Sequence, residues 1–180
     1  MNRQLLYRRS DFGYKVDIVK RFAEPLYSCT PVPERFTASA STRFEPLAPL
    51  VLVGVDDIPA RWDVQRASRA WLGVGGTSHF SASISSHEPD APCAGCLHPT
   101  DEAGGDGPIP TVSFVSFWAG LALAGRFLRA IGGSRCTPRY QHLWLSPLRL
   151  DQPHAGLWQP VAPRRDCPVS CSASQAIWAV

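Results

Sequence analysis

Leu50-Val51-Leu52-Val53-Gly54-Val55-Asp56-Asp57-Ile58-Pro59-Ala60-Arg61 is the stretch on which the fold turns. Its first six residues are uncharged and mostly β-branched or aliphatic. A strand with one wet face alternates polar and apolar residues. This one does not, so it is expected to be buried on both faces, as in a parallel sheet. Asp56 and Asp57 end it. Pro59 then sits at a favoured first position of a helix, which is expected to run to about Ala70.

The pattern continues outward on both sides. Upstream, Val16, Ile18, Val19, Phe22 and Ala23 form one apolar stripe over Asp11–Glu24, so a helix is expected there, stopping before Pro25. Leu26–Val32 reads as a short strand and Pro33–Pro49 as a long surface loop. Downstream, Trp71–Ser83 reads as one strand bent at Gly73-Val74-Gly75-Gly76. That glycine run lacks the strand–glycine–helix context of a phosphate-binding loop. Pro92–His98 reads as a tight turn. Pro110–Ile131 carries the strongest helix signal, ended by Gly132-Gly133. It is apolar nearly all round, so burial in the core or against a partner is expected. Leu143–Leu150 and Leu157–Val161 complete the set as short strands. The alternation of elements implies an α/β layered fold.

Composition narrows the function classes. At 180 residues the chain is expected to be one domain spanning 1–180. A net charge of +3, with the basic residues scattered, argues against a nucleic-acid partner. The uncharged run Gly107–Gly125 is broken by Pro108 and Pro110 and followed by Arg126 and Arg129, which argues for a buried helix and against a membrane span. The N-terminus has no apolar segment of signal-peptide length, so a cytoplasmic protein is expected, with its six cysteines as metal ligands or free thiols.

Four of those cysteines form a pattern. Cys93-Ala94-Gly95-Cys96 is a C-x-x-C turn and Cys167-Pro168-Val169-Ser170-Cys171 a C-x-x-x-C turn. Each presents two thiolates from a short loop, and two such turns complete a tetrahedral Zn²⁺ site. A closed Cys₄ site keeps no open coordination position, so its role is structural. The spacing leaves as alternatives a redox pair, four unrelated cysteines, or His98 in place of one thiolate. Cys29 and Cys136 have no partner at ligand spacing.

Taken in order, several segments resemble the C-terminal two-thirds of the ThiF/MoeB-type adenylyltransferases, the family that includes ubiquitin-activating enzymes. Asn2-Arg3-Gln4-Leu5-Leu6-Tyr7 is similar to the family's Asn-Leu-x-Arg-Gln segment, and Asp11-Phe12-Gly13-Tyr14-Lys15-Val16 to its Gly-x-x-Lys-Ala/Val segment. Val53-Gly54-Val55-Asp56-Asp57-Ile58-Pro59-Ala60-Arg61 resembles Asp-x-x-Asp-Asn-x-x-x-Arg, with Val53 in place of the first aspartate and Asp57 in place of the asparagine. The separation of the cysteine turns matches the family's zinc spacing, and Pro110–Arg129 its long apolar helix. The resemblance implies a partial Rossmann-like domain with a C-terminal Cys₄ zinc knuckle in region 92–171. It implies ATP and Mg²⁺ as cofactors beside structural zinc. It assigns Arg3 and Lys15 to the ATP phosphates and Asp56 to Mg²⁺ and ATP as catalytic residues, with Asn2, Arg3, Lys15 and Asp56 as the cofactor-binding set.

The implied reaction is ATP-dependent adenylylation of the C-terminal carboxylate of a ubiquitin-like or sulfur-carrier protein. Two family parts have no counterpart in this sequence. One is the glycine-rich nucleotide loop, with the acidic residue that grips the ribose. The other is a thioester-forming cysteine, for which Asp101–Pro110 supplies none. The expectation is therefore a truncated or split chain, inactive alone, with a separate N-terminal half and a second copy as further partners. The alternative is a non-catalytic, zinc-stabilised protein-interaction module of the same fold.

Overall fold

The structure, a computed structural model, describes residues 7, 10–37, 39, 46–101, 111–134, 137–146, 148 and 156–177. The chain divides into two compact units, residues 1–35 and 36–180. The first holds helix α1, Lys15–Ala23, which buries Ile18 and Ala23. Its end is where Pro25 requires it. Leu26 and Tyr27 then donate their N–H groups back to the Ala23 carbonyl, at 2.8 and 2.9 Å. The expected strand over Leu26–Val32 does not form. The chain turns instead of extending, and Pro25, Pro31 and Pro33 remove donors a ladder would need.

The second unit is built on a five-stranded sheet. Its elements are β1 Leu50–Val53, α2 Ile58–Ala67, β2 Trp71–Ser78, β3 Ser81–His87, α3 Ala94–Leu97, α4 Ser113–Ile131, a 3₁₀ turn at Pro138–Tyr140, β4 His142–Leu145, β5 Gly156–Gln159 and α5 Ser172–Ala176. The strand order is β1-β2-β3-β4-β5. The βαβ unit β1–α2–β2 gives the one parallel pair, with Leu50 opposite Trp71. The other three pairs are antiparallel. The sheet is thus mixed, and the α/β expectation holds in that coarser form.

Trp71–Ser83 is not one bent strand. It is a hairpin whose turn lies at His79-Phe80, with His79 in the left-handed region at φ 52°. Gly73 to Gly76 lie inside β2 and pair regularly with Ser86 to Ser83. Their glycines make room for neighbours. A Cβ at Gly73 would meet Trp71 and Leu123, one at Gly75 would meet Leu123, and one at Gly76 would meet the Arg61 guanidinium.

Alternation along β2 sorts the core into two clusters. Leu72 and Val74 pack with Val53, Val64 and Ala94 under α2. Ala82 and Ile84 pack with Val115, Ala119 and Leu123 under α4. Only one stripe of α4 is covered. Phe114, Phe117, Leu121, Leu128 and Ile131 stay more than half exposed, so the expected all-round burial does not occur within this chain. By length and composition α4 also passes as a membrane span. At its end Gly133 is left-handed (φ 73°), while Gly133 and Ser134 donate back to the carbonyls of Ala130 and Arg129. Those two bonds form a Schellman cap.

Candidate metal centre

The first cysteine turn hangs from the end of β3. His87, fully buried, donates Nδ1–H to the Pro92 carbonyl at 2.8 Å and accepts the Ser85 hydroxyl at Nε2, also 2.8 Å. The Gln141 amide donates to the same carbonyl. This fixes the backbone immediately before Cys93. Burial, with a smaller contribution from Arg126, lowers the His87 pKa to about 4. A histidine held neutral when folded but basic when unfolded favours unfolding in acid. Its contribution is complete above the unfolded value near 6.5 and is lost as pH falls toward 4. His87 alone should therefore make stability at pH 5 about 2 kcal/mol lower than at pH 7, and His98 and His142, also lowered to about 4 by burial, act in the same direction. His87→Gln should reduce that slope by its own share, with the shares of His98 and His142 remaining, in urea titrations at the two pH values.

Helix α2 holds both cysteine turns. The Gln65 side-chain oxygen accepts the Ala94 N–H at 3.1 Å, the Trp62 indole N–H donates to the His98 carbonyl at 2.9 Å, and Arg66 donates to the Pro168 carbonyl at 2.7 Å. The Ser172 hydroxyl ties the second turn to the Pro89 carbonyl at 2.7 Å. The second turn is one residue longer than the first. Ser170 absorbs the extra residue by adopting a left-handed conformation, φ 54°.

The four sulfurs then converge. Cys93 Sγ lies 3.4 Å from Cys167 Sγ and 4.0 Å from Cys96 Sγ, Cys96 Sγ lies 3.6 Å from Cys171 Sγ, and all four fall within 4.8 Å of one another. Bonds of ~2.3 Å to a tetrahedral Zn²⁺ put ligand sulfurs ~3.8 Å apart. The separations fit that geometry and are far too long for disulfides. All four are free thiols, and Cys93, Cys96 and Cys167 are buried with Val161. Cys96 is pulled down to about 5, chiefly by accepting the Cys93 thiol proton, while that bond and burial push Cys93 far up. Metal binding takes thiolates and releases their protons, so a cation would replace the proton that Cys93 and Cys96 share. His98 is outside the cluster, and Cys136 lies outside the described residues.

Gly95 is where the turns touch. A Cβ there would lie 2.8 Å from Val169 Cγ2, 3.1 Å from Cys167 Sγ and 3.3 Å from Pro168 Cδ. Gly95→Ala should push the turns apart and weaken zinc affinity by about tenfold in a competition titration against a chromogenic chelator.

The nucleotide residues expected from sequence fall in different places. Asn2 and Arg3 lie outside the described residues. Lys15 is exposed on the first turn of α1, in the first unit. Asp56 is exposed just past the carboxyl end of β1, in the second unit. Asp57 caps α2, accepting the Ala60 N–H at 2.8 Å. Arg61, absent from the expected site set, is buried beneath them. Its Nε donates to the Val55 carbonyl at 2.9 Å, burial lowers its pKa, and Asp56 and Asp57 oppose that shift. Its place as the last residue of the aspartate motif was the available signal. Asp57 opens α2, whereas the cysteine turns are held further along it, at Trp62, Gln65 and Arg66.

No protein-family model and no curated protein matches the chain. Solved structures do. Escherichia coli MccB with MccA-N7isoASN matches with a TM-score of 0.71 at 16% identity, over 92% of this chain and 54% of MccB. E. coli MccB with succinimide gives 0.70 at 15% identity, over 92% and 53%. Selenomethionine PaaA gives 0.58 at 15% identity, over 89% and 60%. The chain thus spans about half the length of MccB, and at such identities what the two share is the fold.

Proposed function

We propose that this chain is the zinc-clasped part of a ThiF/MoeB-type adenylyltransferase domain. Its reaction joins AMP from ATP to the C-terminal carboxylate of a peptide or small protein, of the ubiquitin-like or sulfur-carrier kind. The observation that carries this reading is Asp56. It stands exposed at the carboxyl end of β1, where ligands gather in open α/β sheets, and the capping of α2 falls to Asp57 instead. The surrounding fold is that of MccB, a ThiF/MoeB-like adenylyltransferase whose solved structure contains MccA-N7isoASN.

In this reading a substrate carboxylate oxygen attacks the α-phosphorus. The bond from that phosphorus to the bridging oxygen breaks, and pyrophosphate leaves. Asp56 holds Mg²⁺, which when bound offsets phosphate charge. By the family resemblance Asn2, Arg3 and Lys15 would serve the phosphates, and Arg61 fixes the backbone at Val55. With no cysteine in 101–110, the product is the acyl-adenylate and no thioester follows. The glycine-rich β-α unit of that family has no counterpart in these 180 residues, and a separate half or a longer form of the same chain would supply it. The cysteine cluster is a clamp that takes no part in the chemistry.

Pyrophosphate–ATP exchange tests this. Exchange should appear when the chain is combined with an N-terminal half carrying the glycine-rich loop, and Asp56→Asn should lower it by ~100-fold or more. No exchange in any combination would sink the enzyme reading. It would leave the non-catalytic interaction module, which the exposed apolar stripe on α4 favours.

A further inference from the structure

On the sheet face that carries α4 lies an open cleft of about 320 Å³. Trp71 of β2 and Trp158 of β5 form its apolar floor, and Arg126 and Arg129, on the last turns of α4, form one wall. The Schellman cap redirects the chain so that Ser134, Thr137 and Tyr140 close the other side. Trp71 pairs with Leu50, the first residue of β1, so the cleft sits at the opposite end of β1 from Asp56. Neither the proposed nucleotide site nor the cysteine cluster uses it.

We propose that this cleft binds a small organic anion whose carboxylate or phosphate is carried on a flat ring. Its walls have fixed shape. Arg126 donates to Ser86 Oγ, the Gln141 carbonyl and the Tyr140 carbonyl at 2.8, 2.5 and 2.9 Å, and its guanidinium lies 5.0 Å from the centre of the Trp158 ring. Tyr140 meets that ring edge-on at 5.7 Å. Trp158 and Tyr140 nevertheless stay 44% and 47% exposed, so aromatic surface is left open beside two cations. Arg129 is exposed one turn beyond Arg126, and no carboxylate lines the cleft among the described residues. An oxyanion takes the Arg129 fork with the Ser134 and Thr137 hydroxyls, while its ring packs on the exposed aromatic surface of Trp158 and Tyr140. The volume is at the small end of ligand sites, which suits a single ring rather than a peptide.

The test titrates the full chain with phenyl phosphate, benzoate and inorganic phosphate, following the indole N–H signals of Trp71 and Trp158 by NMR. Phenyl phosphate or benzoate should bind with a Kd of about 1 mM or below. Inorganic phosphate should bind at least ~10-fold more weakly, because it lacks the stacking ring. Whichever aryl anion binds tighter identifies the oxyanion. Arg129→Gln, at an exposed position, should weaken binding by ~10-fold or more. Arg139→Gln, outside the cleft, should leave it unchanged. No saturable binding of either aryl anion below ~10 mM would overturn the proposal. So would an Arg129→Gln variant of unaltered affinity, or inorganic phosphate binding as tightly as the aryl anions.

Discussion

Purified reduced and without chelator, the chain is expected to carry about one zinc per molecule, and removing it should lower Tm by ~10–20 °C. The size follows from the fold. Residues 167–176 contribute one short helix and a single buried non-cysteine residue, Ser174. Among the described residues, what joins them to the rest is chiefly two side-chain hydrogen bonds, from Arg66 and Ser172, the packing of Val169 and the sulfur cluster. Structural zinc sites are worth ~10–16 kcal/mol in small peptides, and whole domains are stable by only ~5–15. Loss of even ~5 kcal/mol gives the stated shift at 2–4 °C per kcal/mol. Cys96→Ser and Cys167→Ser should reproduce the chelator's effect. His98→Ala should keep its zinc, because His98 takes part through its backbone, donating N–H to the Ala94 carbonyl and accepting the Trp62 indole, while its ring is outside the cluster. Metal analysis with thermal melts decides the matter. A chelated chain that melts within ~2 °C of the untreated one would show that the turns stay closed without a metal.

The cysteine cluster was legible because ligand spacing is a local property: C-x-x-C can do little else than aim two sulfurs at one point. The seventy residues between the turns needed no prediction. The strand at Leu50 and the helix that Asp57 opens were legible for the same reason, since hydrophobic run and cap lie within a few residues. Three features depended on partners far along the chain and were misread. A glycine run signals a bend only if nothing presses on it, and here Leu123 does, from fifty residues away. An all-apolar helix signals burial, but α4 meets the sheet along Val115, Ala119 and Leu123 and leaves its other side uncovered. The apolar run at Leu50 fixes that a strand forms, not that both its faces are covered or that its neighbours run parallel: β1 lies at the sheet edge, Val53 is buried, and Leu52 stays 46% exposed. Only β1 and β2 run parallel here. The extra residue of the longer cysteine turn is absorbed by a left-handed Ser170, which spacing alone does not show.

The same substitution, glycine to alanine, should have opposite effects on the two sides of the α4–sheet contact. At Gly73 an added Cβ would sit 2.4 Å from Trp71 Cη2 and 2.9 Å from both Trp71 Cζ3 and Leu123 Cδ1. Neither neighbour yields readily. The Trp71 ring is rigid and buried, and Leu123 is wedged against Ala82 and Ile84. Overpacking of a filled core costs ~1–3 kcal/mol, and a clash this close belongs at or above the upper end. Gly73→Ala is therefore expected to cost ~3 kcal/mol or more and to distort the cleft floored by Trp71. At Gly120 and Gly125, in the middle of α4, a Cβ meets nothing within 4 Å, and both positions are exposed. Alanine there removes backbone freedom from the unfolded chain without a clash, so each change should raise stability by ~1 kcal/mol. Urea unfolding of the three variants checks all of this in one series. A Gly73→Ala midpoint matching the parent would mean that β2 and α4 are not in close contact. The glycine run would then be the flexible bend that its composition suggests.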